Sequence, residues 1–217
     1  MATRVEPSTA QSQRDWWLRA VLVFQHPRSV FAALKDESQD AVENRQEPVT
    51  ALVYLGGIAG VLLAPAFGHL KRDYSLDALN IAVIVLFAGA VYGFFGYWLI
   101  GWTLSRGIKA MNGFARAHLC RHVLAYSLAP LVLSLVLVFP LRLALYGGDL
   151  FKDGGSDSSI AGQTLYWLSV ALAAWSVGLL VVGVKVIERW PWWRAAASSF
   201  VAVALAAVVL ALWSFIA

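Results

Sequence analysis

Residues 78–105 read ALNIAVIVLFAGAVYGFFGYWLIGWTLS, a stretch of 28 residues that contains no charged side chain. A helix of about 20 apolar residues crosses the hydrocarbon core of a bilayer, which is about 30 Å thick. Four other uncharged stretches have at least 19 residues each, and they cover residues 48–70, 123–141, 158–184 and 195–217. Helices of soluble proteins seldom need such lengths, so the five stretches together predict a polytopic membrane protein.

The amino-acid composition also points to a membrane protein. Hydrophobic residues make up 59% of the 217-residue chain and charged residues only 14%, whereas soluble domains carry about 25% charged residues. We therefore predict an all-α bundle whose five transmembrane helices cover about residues 49–70, 79–104, 122–145, 163–185 and 195–216. They form a membrane domain over residues 48–217, and a cytoplasmic amino-terminal segment over residues 1–47 precedes it.

The lysine and arginine residues are distributed unequally, which sets the predicted orientation. Thirteen of the 17 precede the first stretch or lie in the turns after the second and fourth stretches. Because Lys and Arg collect in cytoplasmic loops, the amino terminus is predicted to be cytoplasmic and the carboxyl terminus to be outside. Basic loops of this kind face anionic lipid headgroups, so the pI of about 9.4 does not require nucleic acid as a partner.

The amino-terminal segment holds one or two candidate helices. DWWLRAVLVF, residues 15–24, is too short to span and predicts an interfacial amphipathic helix with Trp16 and Trp17 at headgroup depth. Pro27 suits the first turn of a second helix, and residues 36–48, DESQDAVENRQEP, predict a solvated linker. The segment is either a cuff on the membrane surface or a docking region for a partner.

Glycines at a spacing of four mark candidate packing faces on the first two transmembrane helices. Gly56 and Gly60 form one such pair, and Gly89 and Gly93 form another. Helices in lipid associate through close backbone approach, which small residues permit. The contact lies either within one chain or between two copies of it.

The sequence HLCRHVLAYSLAP, residues 118–130, raises the question of a metal site. On a helix His118 and His122 lie about 40° apart, but Cys120 lies on the opposite face. One helix cannot direct all three side chains at one ion, and no second cluster supplies further ligands, so no metal site is predicted. Because the spans also lack deep ionisable residues and any nucleophile–base pair, we predict a non-enzymatic protein without a cofactor.

Pro130 interrupts the third transmembrane helix. It removes the hydrogen bond that the Tyr126 carbonyl would accept, and it therefore predicts a kink. The freed carbonyl must be satisfied by a neighbouring helix, a hydroxyl group or water. The kink is either a packing device or a cavity or hinge that Tyr126 and Ser127 line.

The order of four stretches resembles the YIP domain family, the five-span membrane proteins of the Rab-GTPase-interacting type, in its bacterial branch. The stretches are VFQHPRSVFAALKD (residues 23–36), NGFARAHLCRHVLAYSLAP (112–130), WSVGLLVVGVKV (175–186) and WWRAAASSFVAV (192–203). The resemblance implies a compact five-helix bundle with a cytosolic amino terminus. Eukaryotic relatives bind prenylated small GTPases and one another, but this chain lacks their Asp-Leu-Tyr-Gly-Pro motif, so GTPase binding is not predicted.

The frequent Ala, Val, Leu and Trp residues indicate a bacterium and hence its plasma membrane. We predict a membrane scaffold or adaptor whose cytoplasmic face binds lipid headgroups and a partner, either another membrane protein or a second copy. An alternative is a small passive channel or transporter for a neutral or hydrophobic solute near the Pro130 kink. The residues predicted for the cytoplasmic face are Trp16, Trp17, Arg106, Lys109, Arg116, Arg121, Lys185 and Arg194.

Overall fold

The computed structural model describes residues 9–36, 38–64, 78–114, 116–147, 150 and 159–216, and within them it contains helices and their connections but no strand. The helices are α1 (Thr9–Leu22), α2 (Pro27–Ala33), α3 (Gln39–Leu63), α4 (Ala78–Ala110), α5 (Ala117–Ser127), α6 (Ala129–Leu133), α7 (Phe139–Tyr146), α8 (Ile160–Glu188) and α9 (Trp192–Ile216). A π-helical turn, Ser134–Val138, joins α6 to α7.

Four segments in the described part of the chain are long and apolar enough to cross a bilayer. They are Gln39–Leu63, Leu79–Ala110, Ala117–Tyr146 and Ile160–Glu188. The prediction of an all-α protein with several membrane-spanning helices is confirmed for these residues. The last helix, α9, adds 25 residues after the turn that follows α8.

Helices α3 and α4 touch through their backbones at three glycines. A Cβ atom added to Gly57 would lie 2.1 Å from the Gly89 carbonyl oxygen and 2.6 Å from the Gly93 Cα. A Cβ on Gly93 would lie 2.6 Å from the carbonyl oxygen of Val53. Because real side chains do not fit these distances, the crossing of α3 and α4 requires glycine at each position.

The core lies where α2, α5 and α8 meet. Phe31 of α2, Val123 of α5 and Val184 of α8 are fully buried. Gly183 provides the space, since a Cβ atom there would lie 2.4 Å from Val123 Cγ1 and 3.2 Å from Phe31 Cε1. The short amino-terminal helix α2 is therefore packed into the bundle, although the sequence predicted a helix lying in the membrane interface.

The first long helix starts earlier than predicted. Helix α3 begins at Gln39 instead of about residue 49, and Pro48 lies inside it. The boundary at residues 47 and 48 consequently falls within a helix, and the prediction of a solvated linker over residues 36–48 needs correction. A search for uncharged stretches could not detect this part of α3, because it contains charged residues. Their side chains are largely exposed, and among them only that of Arg45 is buried.

The third segment is interrupted at Pro130, as the sequence predicts. Helix α5 ends at Ser127 and α6 begins at Ala129. The amide N–H of Leu131 donates to Ser176 Oγ of α8 at 3.2 Å, and the Ser127 hydroxyl donates to the Leu124 carbonyl at 2.6 Å. The hydroxyl group of Ser176 thus satisfies a backbone N–H next to the break, as a helix in lipid requires.

Candidate functional site

Two turns meet at one end of the bundle, where α4 passes into α5 and α8 passes into α9. The backbone N–H of Phe114 in the first turn donates to Glu188 Oε2 in the second at 3.0 Å. In return, the Arg194 guanidinium donates to the carbonyl oxygen of Met111. These two hydrogen bonds cross in opposite directions, so they hold both turns in one fixed arrangement.

Each turn contains one residue with a left-handed backbone. Asn112 has φ 57° in the first turn, and Arg189 has φ 57° and ψ 36° at the end of α8. Asparagine tolerates this conformation because its short polar side chain bonds locally, whereas arginine adopts it less readily. Gly113 is packed tightly as well, since a Cβ atom there would lie 2.7 Å from Cζ2 of Trp190.

Four cations at this end of the bundle lie over tryptophan rings, and we call these cations and rings the basic–aromatic end. The pairs and their distances to the ring centroid are Arg106–Trp102 at 5.1 Å, Arg121–Trp98 at 3.8 Å, Lys185–Trp192 at 3.9 Å and Arg194–Trp190 at 4.2 Å. Cations within about 6 Å of a ring centroid are attracted by the ring's quadrupole. The pairs therefore position charge at the same level as the tryptophans.

Three of these rings are exposed on the outer surface of the bundle. Trp98 is 58% exposed, and Trp102 and Trp192 have about half of their surface exposed. Tryptophan is enriched at the membrane–water interface because its ring is apolar and its N–H is polar. A guanidinium stacked on such a ring keeps donors at its edge, and these suit phosphate oxygens.

The remaining predicted cations differ in their surroundings. Arg106, Lys109 and Arg116 are exposed, whereas Arg121, Lys185 and Arg194 are half-buried. Arg116 precedes the first residue of α5 with an extended backbone, ψ 151°. The structure thus brings the predicted cations of α4, α5, α8 and α9 to one end, at two different depths.

The two adjacent tryptophans of α1 differ in exposure. Trp17 is 40% exposed, but Trp16 is only 4% exposed. The ring of Trp16 lies 6.1 Å from the ring of Tyr126, and its carbonyl oxygen accepts a hydrogen bond from the Tyr126 hydroxyl at 3.4 Å. Trp16 is therefore part of the protein core, which the expectation of both rings at headgroup depth did not foresee, and for Trp17 that expectation stays a prediction.

Arg45 is a buried charged residue that the sequence did not lead us to predict as important. Its side chain is fully buried, and its Nη1 donates to the carbonyl oxygens of Leu34 and Asp36, each at 3.0 Å. Its guanidinium also lies 5.6 Å from the centre of the Trp16 ring. The signal was present in the sequence, because Arg45, Val49 and Leu52 share one helical face.

Two titratable groups lie in the connection between α2 and α3. Hydrogen bonds from the backbone and side chain of Ser38 lower the pKa of Asp36, and the backbone bond is 3.0 Å long. Partial burial lowers the pKa of Lys35, and the nearby positive charge of Arg189 acts in the same direction. The connection is therefore within electrostatic reach of the turn between α8 and α9.

Tyr126, Ser127 and Pro130, the residues proposed to line a cavity or hinge, are all packed. Tyr126 and Ser127 are at most 1% exposed, and Pro130 is buried between its neighbours. Contacts with α1 and α8 fill the space around them, as described for Trp16 and Ser176. This geometry fits the alternative in which the Pro130 kink is a packing device.

An apolar groove runs instead between α3, α4 and the junction of α5 with α6. It encloses about 580 Å³. Its lining residues are Val53, Gly56, Gly57, Gly60, Val61, Ala64, Ile84, Val85, Ala88, Tyr92, Gly93, Gly96, Ile100, Leu124 and Leu128. Two of the four predicted packing glycines differ in role here: a Cβ on Gly56 would lie 2.9 Å from Leu128 Cδ1, whereas Gly60 has open space around it.

The histidine and cysteine side chains near the start of α5 do not converge. The rings of His118 and His122 are 6.3 Å apart, while Cys120 is fully buried. In the described ranges no group of three or more His, Cys, Asp or Glu residues could hold a metal ion. Cys120 and His122 are buried at the start of the helix, and the absence of a metal site stays a prediction.

The family model of the Yip1 domain matches residues 21–214. The chain belongs to the Yip1 domain family. No curated protein and no solved structure matches it. The Yip1 match begins within α1 and ends within α9, so it includes the basic–aromatic end and the groove. It confirms the resemblance that the four sequence stretches indicated, and it agrees with an integral, multi-pass membrane protein.

Proposed function

We propose that this Yip1 domain protein is a non-enzymatic membrane scaffold that crosses the bilayer five times. Helix α9 supports the fifth crossing, because its 25 residues carry a single charge, Arg194, in the first turn. Five crossings with the basic–aromatic end in the cytoplasm give a cytoplasmic amino terminus and an outer carboxyl terminus. The membrane would be a bacterial plasma membrane.

In this proposal the basic–aromatic end binds anionic phospholipid headgroups. The observation that carries it is the set of four cations held over tryptophan rings at the end where α4 meets α5 and α8 meets α9. A cation close to an anionic leaflet contributes about 1 kcal/mol. The same end offers a surface for a partner protein or a second copy, where Phe114 is 91% exposed and Trp193 is 68% exposed.

The orientation is tested by cysteine labelling. The native Cys120 is fully buried and should stay unlabelled. We expect a membrane-impermeant maleimide to label Ser158→Cys in intact cells, but to label Phe114→Cys only after permeabilisation. A cysteine appended after residue 217 should behave like Ser158→Cys if α9 crosses the membrane. Equal labelling of Phe114→Cys and Ser158→Cys in intact cells would contradict the proposed orientation.

Headgroup binding is tested by reversing charge at the basic–aromatic end. The variant with Arg106, Lys109, Arg116 and Arg121 each changed to Glu should lose the preference for phosphatidylglycerol over phosphatidylcholine in its bound lipids. At about 1 kcal/mol per cation, the four reversals should lower the affinity for phosphatidylglycerol relative to phosphatidylcholine by at least roughly a thousandfold. The measurement is the lipid composition around the protein in mixed nanodiscs.

A matched pair of single variants controls for total charge. Arg106→Glu removes a cation from the basic–aromatic end, while Arg142→Glu makes the same charge change in α7, near the opposite end. Only Arg106→Glu should reduce the phosphatidylglycerol preference, and by about tenfold or less. Equal effects of both variants would show that net charge matters and that the basic–aromatic end does not.

A further inference from the structure

The apolar groove is open to the surroundings of the bundle because glycines replace side chains along it. Neither Gly60 on α3 nor Gly96 on α4 has a neighbouring helix within 4 Å of where a Cβ atom would stand. Tyr92, which lines the groove, is 67% exposed. In a membrane this opening faces lipid, so whatever fills the groove reaches it from the bilayer.

The dimensions of the groove suit one hydrocarbon chain. Its α4 wall extends from Ile84 to Ile100, which is about 24 Å at 1.5 Å per residue. The groove along this wall has a volume of about 580 Å³. Its lining is apolar apart from the hydroxyl group of Tyr92, as an acyl chain requires. One leaflet provides about 15 Å of hydrocarbon, so a lipid chain fits lengthwise.

A cation lies next to one end of the groove. Arg121 is one turn before Leu124 on the same face of α5, and Leu124 lines the groove. The stem of Arg121 covers Gly101, where a Cβ atom would lie 2.2 Å from its Cγ, and Gly101 follows the lining residue Ile100. The guanidinium lies over the exposed ring of Trp98 at 3.8 Å.

We propose that the groove and Arg121 together form a site for one anionic phospholipid of the cytoplasmic leaflet. One acyl chain lies in the groove between α3 and α4, and the phosphate accepts hydrogen bonds from Arg121 beside Trp98. The inference rests on the proposed function for the orientation of the protein and the sign of the headgroup. It adds to the proposed function a defined position for the lipid and a binding site for its acyl chain, and headgroup attraction alone requires neither.

The test fills the groove without changing any charge. The double variant Gly60→Leu, Gly96→Leu places side chains in open space, so the fold should persist. Gly178→Leu is the matched control, because Gly178 lies on α8, has no atom within 4 Å of an added Cβ and does not line the groove. The probe is a membrane of equimolar phosphatidylglycerol and phosphatidylcholine. Each protein is extracted from it in mild detergent, and native mass spectrometry identifies the lipid that remains bound.

We expect the wild type and Gly178→Leu to retain one phospholipid, mostly phosphatidylglycerol, and the double variant to retain at least tenfold less. Arg121→Gln should still retain a phospholipid but without the preference for phosphatidylglycerol. If the double variant keeps its lipid while the fourfold charge reversal loses the anionic preference, the groove site is refuted and the proposed function stands. If neither variant changes the bound lipid, both proposals fail.

Discussion

Gly57→Leu is expected to prevent assembly of the bundle, and Gly57→Ala to destabilise it by about 3 kcal/mol or more. The added Cβ atom would lie 2.1 Å from the Gly89 carbonyl oxygen and within 2.8 Å of the Gly93 backbone. These neighbours are backbone atoms, which cannot rotate away as a side chain does. The overlap is relieved only if α3 and α4 separate, and separation loses the close contacts of Val53 with Gly93 and of Ile58 with Gly89.

The measurement is thermal unfolding of the purified protein in detergent. With about 2–4 °C per kcal/mol for a chain of this size, Gly57→Ala should lower Tm by roughly 10 °C. Gly60→Ala is the matched control, because it lies three residues further along α3 in open space and also removes a helical glycine. It should leave Tm unchanged or raise it slightly. A Gly57→Ala protein as stable as Gly60→Ala would refute the backbone contact.

The glycine contact shows what sequence periodicity could and could not predict. The spacing of four selected the correct pair of helices and two of the three glycines in the crossing, Gly89 and Gly93. It selected Gly56 and Gly60 on α3, whereas Gly57 makes the contact and Gly56 faces Leu128. Adjacent residues on a helix point about 100° apart, and which of them meets α4 depends on tertiary packing.

The basic–aromatic end was predictable in its charges, but its pairing between helices was not. Counting Lys and Arg placed Arg106 and Arg121 on one side of the membrane. The ring beneath Arg121 belongs to Trp98 on the preceding helix, and such pairing between helices has no local signature. The same limit applies to the groove, which arises from the relative positions of α3, α4 and α5.

Arg45→Met is expected to release the amino-terminal helices from the bundle. The guanidinium donates to the carbonyl oxygens of Leu34 and Asp36, which follow α2, and it lies beside the buried ring of Trp16. Methionine can fill much of the space but provides no donor. Two carbonyl groups then lose a charge-assisted hydrogen bond, and the cost is about 3–5 kcal/mol, as for breaking other buried charged interactions.

Trypsin provides the readout, because Arg28 and Lys35 lie in the segment that Arg45 holds. The packed core around Phe31 protects these sites in the wild type, and local opening exposes them in proportion to its free energy. A loss of 3 kcal/mol should therefore accelerate cleavage by roughly a hundredfold.

Arg14→Met, an exposed change on α1, is the control and should leave the rate unchanged. Arg45→Lys should give an intermediate cleavage rate, because an ammonium group retains the charge but can reach only one of the two carbonyl oxygens. Equal cleavage of Arg45→Met and the wild type would mean that the contacts of Phe31 and Trp16 alone hold the amino-terminal helices in place.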